Sequence, residues 1–170
     1  MTNSVAPPSA PLPDAPPDPV DRIMAVMEQA FEPQYGEAWN RRQVSDALLF
    51  GNCHYGLIAP DGSEIDHFCE SQIETAGFYL SRTTLDEEEL LLFAVTPDNR
   101  GKGLGHTLLE RMIKSAANRG VARIFLEMRR GNPAGFIYAA HGFHQVGIRP
   151  KYYRSPDGQR IDAISHEPLI

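Results

Sequence analysis

One glycine-rich segment, VTPDNRGKGLGHTLL at 95–109, constrains the fold more than any other part of the sequence. It holds three alternating glycines and two basic residues: Gly101, Gly103, Gly105, Arg100 and Lys102. Apolar LLLFAV precedes it and apolar residues at helical spacing follow, which predicts a strand, a tight turn and a helix. The first turn of a helix has unpaired N–H groups and the positive end of the dipole, so the segment predicts a seat for a pyrophosphate.

Three other interpretations of this segment compete. A P-loop requires G-x-x-x-x-G-K-[ST], and no glycine stands at its first position. A dinucleotide-binding turn requires G-x-G-x-x-G; counted from Gly101 or Gly103 the third glycine position is His106 or Leu108, although an acidic residue, Glu127, does follow about 20 residues on. The third is a turn that only begins a helix.

Length and composition bound the class of protein. A chain of 170 residues with 42% apolar and 22% charged residues is typical of one globular domain. No apolar run approaches the roughly 18 residues that span a membrane, and the N-terminus has no secretory pattern. With only two cysteines, the sequence favours reduced thiols and a cytoplasmic protein.

Charge is divided unevenly along the chain. Residues 1–99 hold 17 acidic and 4 basic residues, whereas residues 100–170 hold 5 acidic and 12 basic ones. Such a chain can attract an anionic ligand to one part and a cationic ligand to another, unless folding interleaves the halves and cancels the field. We expect no direct nucleic-acid or membrane partner.

The chain is predicted to consist of a disordered tail and one folded domain. Residues 1–19 contain 7 of the 14 prolines and almost no large apolar side chains, which predicts a disordered tail. From residue 20 to 170 we expect one α/β domain. Helices are predicted from Val20, with Asp18 or Asp21 near its start, and after Asn40, a good N-cap.

The rest of the domain mixes strands with two further helices. Strands are predicted at 54–59, 78–84, 90–95, 124–128, 143–148 and 161–165, with the acidic run at 86–89 joining the second and third. The helices are predicted at 103–119, ending at Gly120, and at 132–140, ending near Gly142. Residues 63–74 are ambiguous.

Two cysteine–histidine pairs raise the question of a metal site. Cys53–His54 and His67-x-Cys69 flank a turn and could face each other across a hairpin. Neither pair has the usual spacing between thiolates, so no metal site is predicted.

The pattern R-x-x-G-x-G at 100–105 after an apolar strand resembles the coenzyme A loop of the GNAT (Gcn5-related) N-acetyltransferases. Within that superfamily the chain is most similar to the bacterial ribosomal-protein alanine N-acetyltransferases of the RimI type. The similarity is carried by residues 85–132, by YAAHGF at 138–143 and by RPKYY at 149–153, and covers roughly 20–167. It implies the GNAT fold, an α/β (α+β) domain: a central mixed, mostly antiparallel twisted sheet, splayed at the acetyl-CoA site, with helices on both faces.

The resemblance also implies the residues that bind acetyl-CoA, the only cofactor expected. They are Phe93, Ala94, Val95, Arg100, Gly101, Lys102, Gly103, Leu104, Gly105, His106 and Asn132. For the glycine loop, the physics of a helix end points to the same ligand. Asn132 can equally be a helix N-cap.

Glu127 matches the general base of the family. It ends a strand that is otherwise apolar, where it could take a proton directly or through one water. An α-amine has an unperturbed pKa near 7.7–8.0 and a lysine amine about 10.4, so the α-amine costs about 3 kcal/mol less to deprotonate at neutral pH. A modest base therefore suffices for a protein N-terminus. The plain alternative is an exposed charge at a strand end.

Tyr138 matches the general acid that protonates the departing CoA thiolate. Because a free thiol has a pKa of about 8.5 and tyrosine about 10, the transfer is slightly uphill unless the site shifts one of them. From Asn132 to Tyr138 there are six steps where the family usually has seven, so we expect the shortening around Pro133 to Gly135. The plain alternative for Tyr138 is a core tyrosine.

Three further residues are predicted to bind the acceptor. Tyr152 and Tyr153 match a pair that lines the peptide groove of the family. Glu89, in the acidic run at 86–89, is a candidate second base that with other acidic residues could attract a cationic N-terminus; a solvated hairpin end is the plain alternative.

We therefore predict an enzyme that moves acetyl from acetyl-CoA to the α-amine of a protein N-terminus, with the N-terminal alanine of a small-subunit ribosomal protein as the expected acceptor. The expected partner is thus a protein N-terminal peptide, and the expected assembly a monomer or weak dimer. Open alternatives are a GNAT acting on lysine or a small amine, a CoA-binding module without turnover, and a nicotinamide-dependent oxidoreductase.

Overall fold

The structure is a computed structural model of the 170-residue chain, and it describes residues 17–66 and 72–168. Four α-helices are present in these ranges: α1 (Pro19–Ala30), α2 (Arg41–Leu49), α3 (Leu104–Asn118) and α4 (Gly135–Ala140). Six strands accompany them: β1 (Cys53–Ile58), β2 (Gly77–Thr84), β3 (Glu87–Val95), β4 (Arg123–Arg129), β5 (Phe143–Arg154) and β6 (Arg160–Pro168).

The six strands form one sheet in the order β1-β2-β3-β4-β6-β5. All neighbouring strands are antiparallel except β3 and β4, which are parallel. This confirms the mixed, mostly antiparallel sheet. It also excludes the P-loop and dinucleotide-binding interpretations of the glycine loop, because both need a mostly parallel sheet.

The first two helices begin where their capping residues predict. The Asp18 side chain accepts a hydrogen bond from the N–H of Val20, and Asn40 forms a reciprocal capping box with Gln43. Both predicted helix starts are confirmed. Residues 1–16 lie outside the described residues, so the tail at 1–19 stays a prediction, except that Pro19 already belongs to α1.

Helices cover both faces of the sheet, as predicted. On one face α1 and α2 pack on apolar residues of β1, β2 and β3; the buried set is Ile23, Val26, Met27, Val44, Leu57, Phe78, Leu80 and Leu92. On the other face α3 and α4 pack on a second set, which includes Ile58, Tyr79, Leu90, Leu108, Leu109, Met112, Leu126 and Tyr138. The sheet therefore lies between two separate apolar cores.

The sheet opens between β3 and β4. Their parallel register runs only from Glu87↔Arg123 to Leu90↔Leu126, so the carboxyl-terminal parts of both strands leave each other. At the same point Leu92 pairs with Leu80 of β2 and Leu90 pairs with the next residue, Ser81. Leu91 therefore has no partner on β2 and forms a β-bulge. Such a bulge bends its strand and increases the twist, which accounts for the predicted splay.

The acidic run differs from the prediction, which placed 86–89 in a connection. Strand β3 starts already at Glu87, and only Leu85 and Asp86 form the turn. Glu88 is fully buried, where it accepts hydrogen bonds from Ser81 and pairs with Arg119. A buried carboxylate with these partners can stand in a strand although its charge suggests a loop.

Three more boundaries differ from the prediction. Strand β5 continues to Arg154 and β6 to Pro168, because the two pair as a long hairpin. Helix α4 starts at Gly135 rather than at residue 132, since residues 132–134 form a preceding turn.

Two findings bear on metal and membrane binding. In residues 17–66 and 72–168 no three His, Cys, Asp or Glu side chains come together as ligands would. His67 and Cys69 lie outside the described residues, so whether the two cysteine–histidine pairs face each other is not tested. Of the helices in the described part of the chain, none is long and apolar enough to cross a membrane.

Candidate active site

The loop from β3 to α3 is built by a buried polar turn and two left-handed glycines. The Asn99 side-chain amide donates to the Thr96 hydroxyl over 2.9 Å, and both residues are buried. Gly101 and Gly103 have φ of 75° and 79°, a conformation that other residues rarely adopt. A Cβ at either glycine would have no neighbour within 4 Å, so backbone conformation, and not crowding, requires glycine there.

The start of α3 lacks an acceptor for its free N–H groups. Gly103 is the N-cap and offers no side chain, and the first turn contains no acidic residue. The amides of the first turn and the positive end of the helix dipole are thus available to an anion. This is the arrangement that the glycine pattern predicts.

Gly105 and His106 connect this loop to α4. A Cβ at Gly105 would stand 2.6 Å from Cδ1 of Ile137, so this glycine lets α4 approach α3. The His106 Nδ1 lies 3.1 Å from Nε2 of His141, at the end of α4. Leu104, the first residue of α3, is buried in the core and presents only backbone to the loop.

The two basic side chains of the loop are engaged with the protein itself. Arg100 donates from Nε to the carbonyl of Val95 and from a terminal nitrogen to the carbonyl of Ala30. The Lys102 ammonium lies 3.3 Å from Oδ1 of Asn99. Arg100 thus ties the end of β3 to α1.

Three residues at the open end of β3 flank this loop. Ala94 is buried against the α1 side, whereas Phe93 and Val95 pack on the α3 side. They lie beyond the last β3–β4 pair, so their strand has no β4 partner on that side.

Glu127 lies at the opening, on β4 just after the last paired residue, Leu126. Its neighbours Leu126 and Met128 pack on the α3 side, and side chains alternate along a strand, so Glu127 points to the α1 side. One carboxylate oxygen, Oε1, is 3.0 Å from Nε of Arg149 and 3.4 Å from the Ser165 hydroxyl.

Tyr138 comes from the opposite face. It is buried in the α3-side core, with its ring centroid 5.7 Å from that of Phe93 and 6.0 Å from that of Phe143. Burial raises the pKa of Tyr138, and the nearby Glu37 carboxylate raises it further. The phenol therefore stays protonated, although the direction of this shift makes its proton harder, not easier, to transfer.

Asn132 caps the turn before α4. Its Oδ1 accepts a hydrogen bond from the N–H of Ala134 over 3.0 Å. The N–H groups of Gly135, Phe136 and Ile137 bond three residues back instead of four, so the turn is tight at the place where the shortening was expected. Tyr138 is buried in spite of it.

Sequence reasoning missed a largely buried ion pair near Tyr138. Glu37, between α1 and α2, lies 3.4 Å from Nε of Arg129 on β4, and the Arg129 guanidinium lies 3.6 Å above the ring of Tyr35. Burial raises the pKa of the Glu37 carboxyl, while Arg129 opposes the shift. The aromatic residue before a Gly-Glu pair was visible in the sequence, but nothing local indicated its partner.

Tyr152 and Tyr153 stand on β5 near these carboxylates. Their rings meet edge to face at 5.2 Å, and Tyr152 is exposed. Burial raises the pKa of Tyr153 to about 12, with Glu37 and Glu127 contributing. The structure thus brings Tyr153 together with Glu127 and Glu37.

Glu89 is placed away from this group. It pairs with Arg82 across β2 and β3 at 2.7 Å, and stands opposite Phe125 before the sheet opens. In this structure its carboxylate therefore links the two strands of the β2–β3 hairpin.

Together these residues form a two-sided site at the opening of the sheet. One side holds a carboxylate, Glu127, and the other a protonated phenol, Tyr138, with an uncapped helix start adjoining. Such an arrangement can accept a proton from a group on one face and donate one to a group on the other.

Comparison with known proteins finds similarity to acetyltransferases. Residues 63–145 match the family model described as acetyltransferase (GNAT) domain. The chain is 43% identical over 90 residues to the [Ribosomal protein bS18]-alanine N-acetyltransferase of Escherichia coli K12, and 40% identical over 88 residues to that of Haemophilus influenzae. Each match covers 52% of this chain and only 60% of the relative's own length.

Solved structures extend the similarity to most of the chain. The ribosomal-protein-S18-alanine N-acetyltransferase from Escherichia coli superposes with a TM-score of 0.68 and 28% identity, covering 88% of this chain and 85% of that one. A Bacillus subtilis acetyltransferase, solved in complex with CoA, has a TM-score of 0.62 at 17% identity, covering 88% and 92%, which shows the common fold alone.

Proposed function

We propose that the chain is an acetyltransferase of the GNAT superfamily, since residues 63–145 match that domain, and that it transfers acetyl from acetyl-CoA to the α-amine of a protein N-terminus. The proposed acceptor is the N-terminal alanine of a small-subunit ribosomal protein, and the proposed location is the cytoplasm. The names of the relatives support the acceptor. The observation that carries the reaction is the placement of Glu127 and Tyr138 at the opening of the sheet, beside the uncapped start of α3.

The residues present fit acetyl-CoA. The free amides at Leu104, Gly105 and His106, with Gly101 and Gly103 before them, would hold the pyrophosphate, and the open edge of β3 at Phe93, Ala94 and Val95 would hold the pantetheine arm. Arg100 supports the loop from behind. Lys102 adds positive charge, and Asn132 keeps the turn that presents Tyr138.

The proposed chemistry divides between the two faces of the sheet. Glu127 takes a proton from the acceptor ammonium, and the resulting amine attacks the thioester carbonyl. Acetyl-CoA supplies the acetyl group, with the C–N bond forming as the C–S bond breaks. Tyr138, protonated before the reaction, gives its phenolic proton to the departing sulfur, where the negative charge develops. The second proton of the nitrogen, lost as the amide forms, returns to the phenolate, and Glu127 releases the first proton to solvent.

Tyr152 and Tyr153 would line the path of the acceptor peptide. The exposed ring of Tyr152 suits a peptide backbone, and the deeper Tyr153 remains neutral at physiological pH. Glu89 is paired with Arg82, so its proposed contribution to acceptor binding is to hold the β2–β3 hairpin and not to contact the peptide.

Release of free CoA tests this function. The protein would be incubated with acetyl-CoA and a panel of Ala-starting peptides, lysine peptides with blocked N-termini, and small amines. We expect turnover with the Ala-starting peptides and a loss of about 10²-fold or more in Glu127→Gln. Glu110→Gln, an exposed glutamate on α3, is the control. Turnover of small amines alone would contradict the acceptor, and CoA binding without turnover would favour a non-catalytic module.

A further inference from the structure

The Glu127 carboxylate already has a cation beside it. Nε of Arg149, on β5, lies 3.0 Å from Oε1 of Glu127. The Glu127 side chain is 17% exposed, whereas that of Arg149 is 59% exposed, so the arginine reaches the carboxylate from the solvent side. The position that a cationic amine must take to meet Glu127 is thus occupied by a residue of the protein.

The two arginines nearest the site are held in different ways. Arg129 is only 11% exposed, pairs with Glu37, which is 15% exposed, and lies 3.6 Å above the ring of Tyr35. Arg149 instead lies 5.3 Å from the exposed ring of Tyr152. Arg129 is therefore part of the interior, and Arg149 is a surface side chain that can leave its partner at small cost.

The backbone after Arg149 is irregular, which favours such movement. The pairing of β5 with β6 is broken between Arg149 and Tyr153, and Lys151 in this bulge has a φ of 55°. Ser165, the second contact of Glu127, stands directly opposite it in the unbroken pairing of β4 with β6. When Arg149 leaves, the carboxylate keeps the hydroxyl that orients it.

From these contacts we propose that Arg149 is an exchangeable counter-cation on Glu127, which the ammonium of the acceptor displaces. The inference rests on the proposed function and adds a specificity-determining residue to it. The incoming group must be cationic and must gain enough from the groove to replace a charge-assisted hydrogen bond. The Glu127–Arg149 pair would thus exclude neutral amides as acceptors. It would also exclude amines that are too short to reach Glu127.

Removing the competitor should strengthen acceptor binding. In Arg149→Met we expect KM for the Ala-starting peptide to fall about three- to fivefold, the effect of an exposed ion pair of up to about 1 kcal/mol, with kcat changed less than about twofold. Arg149→Lys keeps the charge and should stay near the wild-type KM. Arg130→Met is the control, because Arg130 is 53% exposed and pairs with Asp162 instead of Glu127.

A second measurement needs no turnover. The Nε–H signal of Arg149 in nitrogen-15 NMR, assigned by its loss in Arg149→Met, should shift in Glu127→Gln without any substrate. It should also shift when the Ala-starting peptide is added to wild type with desulfo-CoA, and not with the same peptide acetylated at its N-terminus.

The outcomes separate this inference from the proposed function. An Nε–H signal unmoved by Glu127→Gln, or a KM that is unchanged or raised in Arg149→Met, overturns the exchange. A kcat that falls tenfold in Arg149→Met also overturns it, since Arg149 would then position the base. A wild-type protein without turnover of any N-terminal peptide refutes the proposed function instead.

Discussion

Single residues at the site owe their properties to opposite surroundings. Tyr138 is buried among aromatic rings, which raises its pKa and keeps its hydrogen in place. Glu127 instead keeps partial contact with solvent and has two polar partners, Arg149 and Ser165. This difference in burial suits Glu127 to act as the base and Tyr138 as the proton donor of the proposed reaction.

Replacing Tyr138 tests its proposed role as the proton donor. Tyr138→Phe keeps the ring in the core but removes the hydroxyl, so we expect kcat to fall about 10²-fold while the Kd for CoA changes little. Steady-state kinetics and calorimetry measure the two quantities. The matched control is Tyr79→Phe, since both tyrosines are 5% exposed. Equal losses in both variants would assign Tyr138 a packing role only.

Glu37 gives the protein a pH-dependent stability term. Burial raises the pKa of its carboxyl from 4.5, so the folded state holds the proton more tightly than the unfolded state. The contribution of Glu37 is fully favourable below about pH 4.5 and is lost as the pH rises through the raised value. Relative to Glu37→Gln, the wild type should therefore lose stability as the pH rises above about 4.5.

Urea unfolding at several pH values measures this difference. Glu28→Gln, at an exposed position on α1, should show no such trend. A stability difference between wild type and Glu37→Gln that grows in favour of wild type with rising pH would mean that attraction by Arg129 outweighs burial.

The candidate residues differ in how far sequence could predict them. Glu127 and Tyr138 were predicted from the resemblance of short segments to a known family, and both lie near the opening of the sheet. Glu37 and Arg129 meet across 92 residues, and Arg149 reaches Glu127 from another strand. Such contacts depend on the order of strands in the sheet, which no local spacing encodes.

At the scale of elements, α3 offers a comparison of its two ends. Gly103 before it and Gly120 after it have φ of 79° and 81°, and neither would crowd a Cβ. Alanine at either position should therefore lower stability by a similar amount, about 1–2 kcal/mol. Only Gly103→Ala should also weaken CoA binding, by about tenfold, because its backbone belongs to the proposed phosphate seat.

Thermal unfolding and calorimetry with CoA measure the two effects. Gly120→Ala serves as the control for strain alone. Equal loss of affinity in both variants would show that general destabilisation, and not the loop, weakens binding.

The hairpin of β2 and β3 is tied to the end of α3 by Glu88. This fully buried carboxylate accepts from Ser81 and Thr83 and pairs with Arg119. Glu88→Gln removes its charge and leaves Arg119 without an anion, so we expect a loss of about 2–4 kcal/mol. The exposed pair of Glu87 with Arg123 should be worth less than about 1 kcal/mol in Glu87→Gln. Comparable losses in chemical denaturation would contradict this ranking.

Helices were easier to predict than the limits of the strands. Asp18, Asn40 and Gly120 mark helix ends by local chemistry, and all three stand where expected. The predicted start of β3 at residue 90 was wrong, and the strand begins at Glu87. The sequence could not show this, because the partners that bury Glu88 come from distant segments. The bulge at Leu91 leaves no trace in the apolar run, since leucine occupies both sides of it.

The whole molecule consists of two half-sheets that share little backbone pairing. Strands β1, β2 and β3 are clamped by α1, α2 and α3, whereas β4, β6 and β5 form the other half. Among the described residues, the backbone pairing that joins them runs only from Glu87↔Arg123 to Leu90↔Leu126. A ligand seated in the opening would bridge the halves, and its binding energy would add to the stability of the assembled sheet.

Hydrogen exchange with and without CoA tests this bridging. At a CoA concentration 100 times its Kd, the folded protein gains about 2.7 kcal/mol. We expect the largest slowing of exchange in peptides that cover residues 91–95 and 101–107, because these hold the open edge of β3 and the free amides of α3. Residues 123–126, already paired with β3, should change less, and β1, which lies two strands away, only through the global gain. Slowing spread evenly over all strands would place CoA elsewhere and remove the opening of the sheet from the proposed mechanism.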